Sequence, residues 1–212
     1  MRFPRLSSLA AAIATTGLLA SAPPVHAAIP AGDRAAEAVF SQFVDSLHVA
    51  PRIEAALEKK FSELTPAAQA QLLASPTGLM TTGQETTTNA ATTAPAASTL
   101  GVAAAAKGLR VTNNQPVRVL GITVGNFHLS YTYEATSTTV TRNLECVGSW
   151  SGFGLAGSSS ASRYITGGRG TCNVRHQMTY VFRGSPIQFT KLHTVTTVSG
   201  NPRKVTGSLR TV

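Results

Sequence analysis

Along residues 172–182 apolar and polar positions alternate. Cys172, Val174, His176, Met178, Tyr180 and Phe182 fall on one side of an extended chain, and Asn173, Arg175, Gln177, Thr179 and Val181 on the other. Successive side chains of a strand point to opposite faces, so the pattern predicts a half-buried strand with a largely apolar inner face. Further β-prone runs surround it. Residues 117–124 are β-branched and apolar, interrupted by Gly121. Phe127, Leu129, Tyr131 and Tyr133 alternate with His128, Ser130, Thr132 and Glu134. Residues 138–146 are rich in Thr and Val, and residues 187–198 and 205–212 complete the series. Gly125-Asn126, Gly167-Gly168, Gly184-Ser185-Pro186 and Gly200-Asn201-Pro202 supply the turn chemistry between them. Six or so short strands with such turns predict a mainly antiparallel β-sandwich or barrel over residues 109–212.

The period changes upstream. Ala36, Val39, Phe40, Phe43, Val44 and Leu47 follow the spacing of one helical face, with Asp33 placed as N-cap and Pro51 as a stop. Ile53, Leu57, Phe61 and Leu64 make a second stripe, and Thr65-Pro66 opens a third helix that ends at residues 75–78. About fifty residues bury too little surface to stand alone. These helices must therefore pack on each other, on the β region or on another chain, and Phe40 and Phe43 are the candidates for a contact between molecules. Residues 79–108 are rich in Thr and Ala, have no aromatic residue, and read as a spacer. Threonine near Pro95 resembles glycosylated stalks in composition. The expected fold class is α+β, an N-terminal helical region followed by the β domain.

Arg2 and Arg5, a short apolar run at residues 9–20 and Val25-His26-Ala27 form the pattern of a secretory signal peptide over residues 1–27. The apolar run is too short to span a bilayer, and no later one is long enough to anchor the chain. Release to the outside, or to a periplasm, is the expectation. The expected division is signal peptide 1–27, helical region 28–78, linker 79–108 and basic β domain 109–212. In an oxidising compartment the two cysteines, Cys146 and Cys172, are expected to pair with each other. Charge is uneven. Residues 109–212 hold eleven Lys or Arg and two acids, Glu134 and Glu145, whereas residues 28–108 hold five basic and seven acidic residues. That asymmetry points toward an anionic polymer, a glycan or a surface protein as partner.

Catalytic signatures are missing from the pattern. Gly148-Ser149-Trp150-Ser151-Gly152 has the wrong spacing for a nucleophile elbow. No His-Glu-x-x-His, close metal-ligand cluster or phosphate-cradling loop occurs, so neither metal nor cofactor is implied. Glu134 and Glu145 are the sole carboxylate pair of the β region, with nothing to place them at a glycosidase separation. The histidines are the remaining chemistry. His128, His176 and His193, with Arg175 or Lys191 as the cation, hold the inventory for acid–base cleavage of a phosphodiester, as in a basic secreted nuclease. His176 shares its face with Cys172, Val174 and Tyr180, which makes it a buried structural histidine, and His128 lies opposite the aromatic face. Thr-rich residues 134–142 and Ser-rich residues 158–162 raise a third possibility, a membrane-active or pore-forming protein, although they lack the apolar alternation of a membrane strand.

The Gly- and Ser-rich stretch 148–170 reads as irregular. It carries Trp150, Phe153, Arg163, Tyr164 and Arg169 among small polar residues, a composition typical of binding surfaces. Trp150, four residues after Cys146, is placed equally to pack against the disulfide. The expected function is a secreted non-catalytic binding module contacting its partner through these five residues.

Overall fold

A computed structural model describes residues 31–75, 78–82, 86–92 and 107–212. The expected signal peptide lies outside the described residues. The fold is α+β: among the described residues, three helices cap one end of an antiparallel β-sandwich.

Helix α1 (Ala31–Leu47) starts ahead of Asp33, which sits in its first turn instead of capping it. It stops at His48, whose backbone turns left-handed with φ 50°. Helix α2 (Pro51–Ser62) and helix α3 (Pro66–Ala74) each open on a proline, where the missing N–H costs nothing. The Thr65 hydroxyl caps α3 by accepting from the Ala68 N–H at 3.3 Å. Phe40 stacks on Phe61 with ring centroids 4.1 Å apart. Both are buried, with Phe43, Val44, Leu47 and Leu57.

Among the described residues ten strands form two sheets. The first holds β1 (Thr81–Thr82), β3 (Ala91–Thr92), β4 (Lys107–Val119), β5 (Ile122–Ala135) and β6 (Val140–Ser151). The second runs in the order β2 (Thr86–Asn89), β10 (Asn201–Thr211), β9 (Ser185–Val198), β8 (Arg169–Phe182), β7 (Ala156–Thr166). Tight hairpins join neighbours. Leu120-Gly121, Gly167-Gly168 and Arg183-Gly184 all have positive φ at both positions, the backbone of a two-residue type I′ turn that suits the twist of the strands. The sequence run 117–124 is thus a hairpin and not one strand. Gly125-Asn126, expected as a turn, lies inside β5. Gly125 serves a different need there: a Cβ at this position would stand 2.0 Å from the Phe153 ring, which packs directly on the backbone.

The expected spacer contributes strands. β1 pairs with β4 at Thr81–Arg118, β2 crosses to pair with β10 at Thr88–Val205, and β3 returns to β4 at Ala91–Arg110. Residues 81–82, 86–89 and 91–92 therefore extend both sheets on the β4 and β10 side, while residues 83–85 and 93–106 of the expected spacer lie outside the described residues. The stretch 148–170 is also largely strand. β6 runs to Ser151 and β7 covers residues 156–166, with both faces of β7 exposed at the sheet edge. No face of β7 is buried, so no alternation marks it in the sequence.

Inside, two apolar clusters meet a polar belt. Helix residues Phe40, Phe43, Leu47, Leu57 and Phe61 share one cluster with Val117, Val119, Phe127, Phe153, Met178, Tyr180 and Phe182 of the sandwich. Phe43 meets Tyr180 edge-on at 5.4 Å, and the Ser46 hydroxyl, donating to the Phe43 carbonyl at 2.7 Å, accepts from the Val181 N–H at 3.2 Å. Phe40 and Phe43, expected at a surface between molecules, are 1% and 0% exposed and belong to this internal seam. The second cluster surrounds the Cys146–Cys172 disulfide, which ties β6 to β8 across the two sheets with Cα atoms 5.6 Å apart. Along β4 the inward residues change from Leu109 and Val111 to Asn113 and Gln115 and back to Val117 and Val119. On the facing sheet His176, His193 and Lys191 occupy the same buried level. No helix among the described residues is long and apolar enough to cross a membrane, which says nothing of a β-barrel.

Candidate functional site

The histidines separate into two environments. His176 on β8 and His193 on β9 both point inward, with ring centroids 5.9 Å apart and no solvent exposure. The His176 ring lies against Phe127 at 4.6 Å and meets Trp150 edge-on at 6.4 Å. Its Nδ1 bonds the Ser159 hydroxyl at 2.7 Å, and His193 Nε2 bonds Asn113 Oδ1 at 2.8 Å. The other ring nitrogens, His176 Nε2 and His193 Nδ1, are buried without a hydrogen-bond partner among the described residues. Burial disfavours a charged imidazole, and neighbouring histidines add to the effect. His176 is pushed down to about 4 by burial first and then by His128. His193 is pushed down to about 3 by burial first and then by His176 and His128. At neutral pH both rings are uncharged.

His128 occupies the opposite surface of the first sheet. Its Nδ1 meets Asn114 Oδ1 and its Nε2 meets the Ser151 hydroxyl, each at 2.7 Å. The sheet separates it from the other two. The expected cations divide likewise. Arg175 follows the alternation away from His176 and is exposed, whereas Lys191 points inward, is buried, and donates from Nζ to the Thr211 hydroxyl at 2.7 Å. Burial lowers the Lys191 pKa. The structure thus brings His176 and His193 together and leaves neither ring exposed to solvent among the described residues. Glu134 pairs with Arg142 at 3.2 Å and Glu145 meets the Thr132 hydroxyl at 3.4 Å, both on the outward surface of the first sheet. Among the described residues no three His, Cys, Asp or Glu side chains gather to hold a metal ion.

Of the five expected contact residues, the structure unites two. Phe153 is buried, edge-on to Phe127 at 5.8 Å and seated on Gly125, so it belongs to the core. Trp150 pairs with Phe127 across β5 and β6, points inward, and is half-buried over His176 instead of over the disulfide. Arg163 is exposed but faces the same side as Cys172, overhanging the edge of the sandwich. Tyr164 and Arg169 lie together on the outward surface of the second sheet, flanking the Gly167-Gly168 turn. Tyr164 is 50% exposed. With Thr166, Thr171 and Thr196 they line an open pocket of about 360 Å³.

The pocket sits at one end of a wide polar surface. Register places Tyr164, Thr171, Thr196 and Thr206 in one row across four strands. Ser162, Asn173, Thr194 and Ser208 make the next, and Ser160, Arg175, Leu192 and Arg210 a third. The Thr194 hydroxyl donates to Asn173 Oδ1 at 2.8 Å, and the Thr171 and Thr196 hydroxyls lie 3.3 Å apart. Arg169, Arg175, Lys204 and Arg210 all project from this surface and are exposed. Residues 156–212 contain eight Lys or Arg and not one Asp or Glu. Both acids of the β region belong to the other sheet. This division was hidden in the sequence, because the charge total spans both sheets and only strand register assigns each residue to a face. No protein-family model, curated protein or solved structure matches the chain.

Proposed function

We propose that the protein is a secreted, non-catalytic binding module that holds an anionic surface or polymer on the outward face of its second sheet. One observation carries the reading: eight Lys or Arg and no Asp or Glu in residues 156–212, with Arg169, Arg175, Lys204 and Arg210 exposed on a single face. A field of one sign without internal counter-charges attracts a polymer of the opposite sign. Hydroxyl and amide rows between the cations supply donors and acceptors to a polar ligand. Secretion is supported by the N-terminal pattern and by the disulfide, which persists in oxidising compartments.

The test is retention of the purified protein on immobilised acidic and neutral polysaccharides as sodium chloride rises. Retention on the acidic matrix that falls steeply with salt is expected, because exposed charges are screened within about 10 Å at 0.1 M. Equal retention on neutral matrix, or salt-independent retention, contradicts the reading. The contact between His176 and His193 favours a second reading, a histidine-dependent nuclease that would have to open its sandwich to act. RNA loss in the same samples, abolished by His176→Gln, is the result that would favour it.

A further inference from the structure

We propose that the Tyr164–Arg169 pocket is a subsite for one acidic sugar unit, a pyranose carrying a carboxylate or sulfate, within a polysaccharide lying across the strands of the second sheet. The proposal rests on the binding-module reading and gives it a substrate class. Three features of the pocket converge. Arg169 is held in place: its Nε–H donates to the Thr197 carbonyl at 3.1 Å, and its terminal amino groups have no partner among the described residues. A guanidinium fixed at one nitrogen presents the remaining pair as a fork matched to two oxygens of a carboxylate or sulfate. Tyr164, half exposed, offers a flat ring with a polar tip, the amphipathic surface that the C–H face and hydroxyl rim of a pyranose require. Thr166, Thr171 and Thr196 line the rest, and each hydroxyl donates and accepts as sugar hydroxyls do.

The surface beyond the pocket extends the same chemistry. Neighbouring strands lie about 4.8 Å apart and residues rise about 3.4 Å along a strand. Arg175 and Arg210, in register through Leu192, therefore emerge about 10 Å apart, and Arg169 about 20 Å from Arg175 on the same strand. The polar rows of Thr, Ser and Asn fill the space between. A single-stranded nucleic acid is the less suited polyanion, because sequence-tolerant binding of strands relies on several aromatic platforms for successive bases. Tyr164 is the one large aromatic side chain exposed among the described residues.

The test measures binding of labelled oligosaccharides to the full chain at low salt: a uronate oligomer, a sulfated oligomer, a neutral glucan oligomer and a single-stranded RNA of similar length. Tyr164→Ala, Arg169→Gln and Arg169→Lys are compared with Tyr164→Phe, and thermal midpoints are recorded for all. Tighter binding of the uronate or the sulfated oligomer than of the other two is expected, and which of them leads identifies the acid. Loss of a charge-assisted pair weakens binding by roughly tenfold or more. That loss is expected for Arg169→Gln and for Arg169→Lys, since lysine keeps the charge without the fork; Tyr164→Ala weakens binding by removing the ring platform, while Tyr164→Phe keeps most of the affinity. Because Tyr164 is exposed, its variants fold as the parent does. Acidic oligosaccharide binding untouched by these variants overturns the subsite and leaves the module reading standing. Preference for RNA or for the neutral oligomer overturns the substrate class. Binding to none of the four overturns both.

Discussion

His176 and His193 are the side chains whose protonation differs most between the folded and the unfolded chain in mildly acid solution. Both are uncharged when folded, with pKa values held near 4 and 3, and both return to about 6.5 in an unfolded chain. The unfolded state therefore binds more protons below about pH 6.5. Stability is fully present above that pH and falls as pH drops toward 4, by about 1.4 kcal/mol per pH unit for each histidine. Urea midpoints measured between pH 7.5 and 4 are expected to decline through this window, and His176→Gln to decline less steeply. A flat profile would show that the rings are not buried as neutral groups. Much at this scale was legible in the sequence. Alternation alone placed His176 inward with Cys172 and His128 outward, and two cysteines in such a chain had one simple pairing. The bond from His193 to Asn113, eighty residues away, was not legible, because it depends on how the two sheets are laid against each other.

Among the elements, β7 shows why a strand can escape a sequence reading. Burial imprints a period on a strand, and this one is exposed on both faces at the sheet edge, where serines and Arg163 also discourage pairing with another chain. β1, β2 and β3 escaped for a related reason: they are two to four residues long and take their hydrogen bonds from β4 and β10. The long strands β5, β8 and β9 and all three helices were legible, since each has one buried side. The loop at residues 152–155 divides structure from binding. Phe153→Ala is expected to destabilise the fold by about 3–5 kcal/mol, the range for removing a buried aromatic ring, and to leave ligand affinity unchanged in the fraction that folds. Tyr164→Ala is expected to behave in the opposite way. Denaturant titration paired with a binding isotherm checks both, and a stable Phe153→Ala with weakened binding would return Phe153 to the contact surface.

In the whole molecule, helices and sandwich share one apolar cluster, while the other end is held by the disulfide. The bridge closes a loop whose ends are 26 residues apart, and restricting the unfolded chain in this way contributes about 3.5 kcal/mol. Reduction under non-denaturing conditions is expected to lower the unfolding free energy by that order. A midpoint unchanged in reductant, with free thiols confirmed, would contradict it. Charge is divided at the same scale: the first sheet carries both acids and the second carries cations alone.

That division permits the most direct test of the central claim. Two triple variants remove the same charge from opposite faces: Arg169→Gln, Arg175→Gln and Arg210→Gln on the second sheet, and Arg110→Gln, Arg118→Gln and Arg142→Gln on the first. Affinity for an acidic polysaccharide is measured for both at one low salt concentration. Loss of more than about tenfold is expected for the second-sheet triple, and less than about threefold for the first, where only the screened long-range field changes. Equal losses would mean that net charge alone drives binding, and the outward face of the second sheet would then have no special role.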